Sequence, residues 1–318
     1  MATLRIYLLG SIHLGYSQQP AEIKLTRSVM NLLAFLLLQR SRLHPREVLA
    51  SIFWGNQRED QARRCLSTAL WRLRRLLEPE GVAKGTYLLT TPMGEVGFNR
   101  DSDFWLDVAV FEDKVTPVLA KQNAALTPAE AQELAYAVSL YQSDLLAGCY
   151  DDWAVRERER LRLLLLQSLF ALMRFQIQSE AYEDGLLYGQ KILDLDPLRE
   201  EIHWEMMRLY MKTGRRAKAI QQYETCRHLL AEELDISPME DTQRLYQEIL
   251  RGEAGGPGVL GQPRHTPWDA AGAAVRLELV IENLNLAARE LARGQKHLQY
   301  SMQLLQRLLQ DAGSKSTS

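Results

Sequence analysis

Apolar runs at residues 4–9 and 12–16, parted by Gly10, have the length of short strands, and residues 23–25 make a third, shorter candidate. The period then changes. Val29, Leu32, Leu33, Leu36 and Leu37 recur at helical spacing behind Thr26, a residue type suited to capping. Residues 41–44 break that helix. Pro45 suits the first turn of a second one, whose inner face carries Val48, Leu49, Ile52 and Phe53 and which Gly55 ends. A third helix runs over 62–77 and stops near Pro79, with Ala62, Leu66, Ala69, Leu70, Leu73, Leu76 and Leu77 in one stripe. Residues 87–91 and 95–99 then flank Pro92-Met93-Gly94, the pattern of a hairpin. Strands, three helices and a hairpin in this order predict a winged helix-turn-helix with a small N-terminal sheet, the hairpin being the wing.

From residue 128 to 250 the pattern is wholly helical, with helices over 128–146, 153–178, 185–195, 198–211, 217–234 and 240–250. Breaks at Glu180 and Gly214 lie 34 residues apart, the period of tetratricopeptide (TPR) helix pairs. Gly252, Gly255, Gly256, Pro257, Gly258, Gly261, Pro263 and Pro267 then mark a linker. Beyond it, Leu277, Leu284, Leu291, Leu298 and Leu305 fall at strict seven-residue intervals, and Ile281, Ala288, Gln295, Met302 and Leu309 are offset by four. Those are the two seam positions of a coiled coil, weakened locally by Gln295 beside Gly294. A single amphipathic helix folded back on the repeats is the competing reading. The expected division is 1–100 winged helix, 101–251 TPR-like helical domain, 252–269 linker, 270–311 heptad helix and 312–318 disordered tail. The fold class is mainly α.

Composition narrows the setting. The 318 residues are 46% hydrophobic and 25% charged, ordinary for a soluble chain, and the net charge is −2. The charge is uneven: residues 1–110 hold 14 Lys and Arg against 10 Asp and Glu, and the remainder 24 against 30. A DNA contact therefore belongs to the first third. Cys65, Cys149 and Cys226 lie far apart, which excludes a zinc ribbon and makes a disulfide framework unexpected. No apolar run reaches membrane-spanning length, and the N-terminal run is too short for a signal peptide. A reduced, cytoplasmic protein without membrane contact is the expectation.

The candidate chemistry lies in residues 62–77. Between Gln57 and Leu77 stand six arginines against Glu59 and Asp60. Arginine neutralises phosphates and bonds guanine in bidentate fashion, so a helix with a buried seam and an arginine-rich outer face suits a DNA groove. On a helical wheel Arg64, Ser67, Thr68, Trp71 and Arg75 share the face opposite Leu66, Leu70 and Leu73. Arg64, Thr68 and Trp71 are assigned to base edges or thymine methyls, and Arg63, Arg72 and Arg75 to phosphates. Thr90 and Thr91 in the hairpin complete the DNA-binding candidates. Two readings of Trp71 stay open, base contact or packing against the segment between the second and third helices; Arg74 has the alternative of an acid in its own domain. His44 reads as a helix-start residue, and His203 and His228 as packing or repeat-surface positions. No metal or cofactor site is expected. The oligomerisation candidates are Leu277, Ile281, Leu284, Ala288, Leu291, Leu298, Met302, Leu305 and Leu309.

The chain resembles the SARP-type bacterial transcriptional activators, which join an OmpR-type winged helix to a bacterial transcriptional activation domain. The matching pieces are L-R-I-Y-L-L-G at Leu4, A-R-R-C-L-S-T-A-L-W-R-L-R-R-L-L at Ala62, D-S-D-F-W-L-D-V-A-V-F-E at Asp101 and the stretch from R-R-A-K-A-I-Q-Q-Y-E at Arg215 to Y-Q-E-I-L. The resemblance runs from about residue 4 to 251. It implies binding of double-stranded DNA at direct-repeat promoter sites, contact with RNA polymerase and activation of nearby genes. Larger relatives carry an ATPase module; no G-x-x-x-x-G-K-[ST] occurs here. The wing departs from the pattern: Pro92-Met93-Gly94-Glu95 has no arginine and one acid, so insertion of its tip into a groove is not expected.

A winged helix without symmetry reads a short half-site, so tight binding calls for two copies. A homodimer or higher oligomer is therefore expected, held by the repeats or the heptad helix. The competing classes are a TPR-type signalling adaptor and a regulator gated by a ligand in the repeat groove. An enzyme is disfavoured, because no nucleophile elbow, phosphate loop or metal cluster stands in a recognisable frame.

Overall fold

Leu4–Tyr7 (β1) and His13–Tyr16 (β2) pair antiparallel, with Leu4 opposite Tyr16 and Tyr7 opposite His13. Alternation along β1 buries Leu4 and Ile6 and turns Arg5 and Tyr7 to solvent. Gln19–Ala21 (β3) adds antiparallel to β2. The structure, a computed structural model, describes residues 3–10, 12–16, 19–21, 26–121 and 125–252. The expected strand at 23–25 and the heptad positions from Leu277 to Leu309 lie outside them.

Arg27–Leu38 (α1) starts behind Thr26, whose backbone carbonyl, not its hydroxyl, accepts the first amides. Its inner side buries Val29, Leu32, Leu33, Leu36 and Leu37 as the spacing predicted. Arg46–Trp54 (α2) follows, with Pro45 one position ahead of the first turn. Its inner face differs from expectation. Leu49, Ala50 and Trp54 are buried, whereas Val48 and Ile52 are 45% and 39% exposed. The helix is rotated because Phe53 and Trp54 must both reach the interior, and only an arc centred on Leu49, Ala50, Phe53 and Trp54 holds both. Glu59–Leu77 (α3) begins three residues before the predicted stripe and buries Ala62, Leu66, Ala69, Leu70, Leu73 and Leu77.

Leu88–Thr90 (β4) and Val96–Phe98 (β5) form the expected hairpin. Phe104–Leu106 (β6) then returns to the first sheet and lies parallel to β1, Leu4 beside Phe104, giving the order β3-β2-β1-β6. Nothing in the periodicity announced this three-residue strand.

Asp107–Leu119 (α4) is a helix the periodicity did not reveal. Pro117 near its end masks it, since proline usually breaks a helix, and here the helix runs only two residues past it. Pro128–Leu140 (α5) starts with a capping box, Thr127 and Glu130 each accepting from the other's amide. It stops short of the predicted residue 146. Leu145 and Leu146 are buried, as a helical pattern would have them, but from a loop whose carbonyls at Leu145, Leu146 and Cys149 accept the Arg158 guanidinium at 2.7–2.9 Å. Asp152–Gln178 (α6), Tyr182–Leu195 (α7), Glu200–Lys212 (α8), Arg216–Leu234 (α9) and Glu240–Arg251 (α10) complete the TPR-like array. His203 is a packing residue: its Nε2 lies 2.9 Å from the Pro197 carbonyl and its Nδ1 2.7 Å from the Gln222 amide. No helix among the described residues is long and apolar enough to cross a membrane.

The described residues belong to one compact unit. At its centre is Asp107, 1% exposed at the start of α4. Its two oxygens accept the amides of Leu8 (2.8 and 2.9 Å), Leu9 (2.8 Å) and Val108 (2.7 Å). Burial pushes its carboxyl pKa up, against the pull of those amides. Around α1 the rings of Phe35, Phe53 and Trp153 meet edge to face at 5.3–6.0 Å, joining α1, α2 and α6. Replacing Asp107 by Ala strands three amides in the interior, and we expect a loss of about 2–4 kcal/mol. Denaturant unfolding checks it; an unchanged midpoint with unchanged slope would refute the anchoring role.

Candidate nucleic-acid interface

The surface of α3 divides cleanly. The buried stripe described above faces α1 and α2, and Arg63, Arg64, Ser67, Thr68, Trp71, Arg72 and Arg75 are all exposed on the other side. Helical periodicity explains the division, because the apolar residues occupy three- and four-residue steps and the arginines fill the remaining positions. Trp71 is 58% exposed, so it does not take up the packing role; the Arg75 guanidinium lies 5.5 Å from its ring centroid.

The exposed groups differ in how they are engaged. Arg63 pairs with Glu59 one turn earlier at 2.6 Å. Ser67 accepts from the Arg46 guanidinium at 2.8 Å and donates to the Arg63 carbonyl at 2.9 Å, and Thr68 donates to the Arg64 carbonyl at 3.0 Å. Arg64 and Arg72 have no ion pair or side-chain hydrogen bond among the described residues, so both guanidiniums are open to an outside anion.

The wing is fastened to this helix from several sides. Arg74 donates to the Thr90 hydroxyl, so its partner is a hydroxyl on β4 rather than an acid. Glu78, just past the end of α3, accepts through one oxygen from the amides of Gly85, Tyr87 and Leu88 at 2.9–3.1 Å. His44 and Val96 exchange both backbone hydrogen bonds at 2.8 Å, which binds the α1–α2 connection to β5. Gly97 permits that approach: a Cβ there would stand 2.7 Å from Leu43 Cδ2 and 3.1 Å from the Arg42 carbonyl. Thr90 is exposed, whereas Thr91 is half-buried and its hydroxyl is occupied by Glu95. Arg46, Arg74 and Glu78 are braces that no sequence period singles out, because their partners lie 21, 16 and 7–10 residues away.

Residues 106–250 match the family described as "Bacterial transcriptional activator domain", and residues 19–94 match "Transcriptional regulatory protein, C terminal". Together these spans cover most of the chain. The chain belongs to the SARP-type transcriptional activators. Regulatory protein AfsR of Streptomyces coelicolor is 28% identical over 222 residues, 70% of this chain but only 22% of that protein. MoaR1 of Mycobacterium tuberculosis is 23% identical over 235 residues, 69% of this chain and 70% of the relative. The solved structure of Mycobacterium tuberculosis EmbR in complex with a low-affinity phosphopeptide shares the fold, with a TM-score of 0.65 at 19% identity, covering 89% of this chain and 72% of that one. The family consists of transcription regulators, not enzymes.

In this SARP-type chain His44 proves to be more than a helix-start residue. It is 5% exposed, its ring lies 5.0 Å from that of Phe35, and its Nε2 has no hydrogen-bond partner among the described residues. Burial, and secondly the Arg42 charge, hold its pKa below the usual histidine value. Burial lowers the pKa of His203 as well. A folded pKa below the unfolded one means that stability is complete above pH about 6.5 and is lost as pH falls through the folded values. The unfolding midpoint is expected to drop between pH about 7 and about 5, and His44→Phe to flatten part of that drop. Denaturant titrations across that range check it; a midpoint independent of pH there would overturn the assignment.

Proposed function

We propose that the protein is a sequence-specific DNA-binding activator that lays α3 in the major groove. The observation that carries this is the exposed Arg64 and Arg72, without a partner among the described residues, on a helix whose opposite face buries Ala62, Leu66, Ala69, Leu70, Leu73 and Leu77. In this reading Arg64, Thr68 and Trp71 meet base edges, Arg63, Arg72 and Arg75 hold phosphates, and Thr90 stands beside them on the wing. Residues 1–100 serve DNA and 101–251 protein contacts. Contact with RNA polymerase near repeat sites is part of the proposal, and the exposed Val48 and Ile52 on the outer side of α2 offer it apolar surface.

Two adjacent copies would raise affinity through effective concentration without new contacts per copy. The heptad positions from Leu277 to Leu309 support a zipper that supplies the second copy.

Arg64→Ala/Arg72→Ala is expected to abolish footprints on the chain's own upstream DNA. The wild type should bind tightly there and weaken steeply with salt, since each lost phosphate contact lowers the salt slope by about one. Absence of salt-sensitive binding by the wild type would favour the adaptor reading instead. Deleting residues 265–318 is expected to lower the particle mass seen by light scattering, and an unchanged mass would remove the zipper from the account.

A further inference from the structure

The wing lacks the feature by which a wing usually grips DNA. Residues 87–99 contain no Lys or Arg, and their one acid is Glu95. On charge alone its tip should stay out of a groove. The folded hairpin offers a different contact. Met93 is 91% exposed at the very tip, the most exposed large apolar side chain among the described residues.

The turn that carries Met93 is held on both sides of it. Gly94 donates its amide to the Thr91 carbonyl at 2.9 Å, and Thr91 donates to the Glu95 carbonyl at 3.0 Å. Gly94 has φ 85°, which a residue with a side chain rarely adopts. The Glu95 amide bonds the Thr91 hydroxyl at 3.1 Å, and that hydroxyl lies 3.4 Å from a Glu95 carboxylate oxygen. The one negative charge is thus folded back onto Thr91, and the methionine projects alone beside Pro92. Behind the tip, a Cβ on Gly94 would touch Arg46 Cδ at 3.7 Å, and Arg46 in turn bonds Ser67 of α3. Arg74 bonds Thr90 lower down. Tip and α3 are therefore set at a fixed offset, and the tip exposes an apolar side chain that has no packing duty.

The geometry points to Met93 as an apolar wedge that enters the minor groove next to the major groove read by α3. Proteins that use Met, Leu or Phe this way push the side chain against or between base steps and bend the duplex, with the wedge itself uncharged. Pyrimidine–purine steps unstack most easily, so the wedge would add specificity for such a step at one fixed distance from the bases under α3. This inference rests on the proposed DNA binding and deepens it.

The test is selection of bound duplexes from a random-sequence library with the full chain, followed by binding and end-to-end energy-transfer bending assays on the recovered duplex. Wild type, Met93→Ala, Met93→Leu and the Arg64→Ala/Arg72→Ala variant are compared. Met93→Ala should bind about tenfold more weakly, bend less and lose the preferred step, with its salt slope unchanged because no charge is removed. Met93→Leu should restore affinity and bend, while the double arginine variant lowers the slope. If Met93→Ala binds and bends the duplex as the wild type does, or if Leu fails to rescue it, the wedge is overturned and DNA binding by α3 stands. If the wild type recovers no duplex, the DNA reading itself fails and the wedge with it.

Discussion

One buried carboxylate holds the two halves of this chain in a single frame. Asp107 follows β6, begins α4 and accepts the amides just past the end of β1, about a hundred residues earlier in sequence. Those amides lie where β1 runs out of strand partners, and an unpaired buried N–H is expensive. A carboxylate at a helix start also answers the helix's own free amides, as Val108 shows. One side chain therefore satisfies a strand end and a helix end together, and β6 is carried into the first sheet beside β1. The junction between the winged-helix and helical parts is thus continuous structure, not a flexible joint.

That frame decides how α3 is presented. The Phe35, Phe53 and Trp153 rings and the contacts of Glu112 with Arg40 and Arg160 tie α1 and α2 to α4 and α6. The inner face of α3 packs on α1 and α2, so its outer face inherits their orientation. The wing is then positioned from α3 by Arg74 and Glu78 and from the α1–α2 connection by His44. Each brace fixes the wing in place, and Arg64 and Arg72 take no part in it and have no partner among the described residues.

The candidate site was legible because it sits on one helix. A 3.6-residue period sorts Leu66, Leu70 and Leu73 from Arg64, Trp71 and Arg72 without reference to anything distant. Where packing crosses between elements, local pattern misled. Val48 and Ile52 looked interior by spacing, but the bulk of Phe53 and Trp54 rotated α2 the other way. Leu145 and Leu146 kept a helical phase in a loop, because Arg158 thirteen and twelve residues on supplies the bonds a helix would have supplied. Pro117 hid a real helix by standing two residues before its end.

By itself the sequence determined the three helices of the first third, the amphipathic stripe of α3, the hairpin and the repeat period, since each depends on neighbours within a turn or a strand pair, while it left β6 and α4 unannounced. It also determined the family, through runs of residues whose order needs no coordinates. Only the tertiary structure decided that β6 joins β1, that Asp107 is buried there, that Arg46, Arg74 and Glu78 brace the wing, and that Met93 projects while Glu95 folds away. Those outcomes rest on partners brought together by the packing of the whole core, and no local period encodes a contact whose two halves lie tens of residues apart.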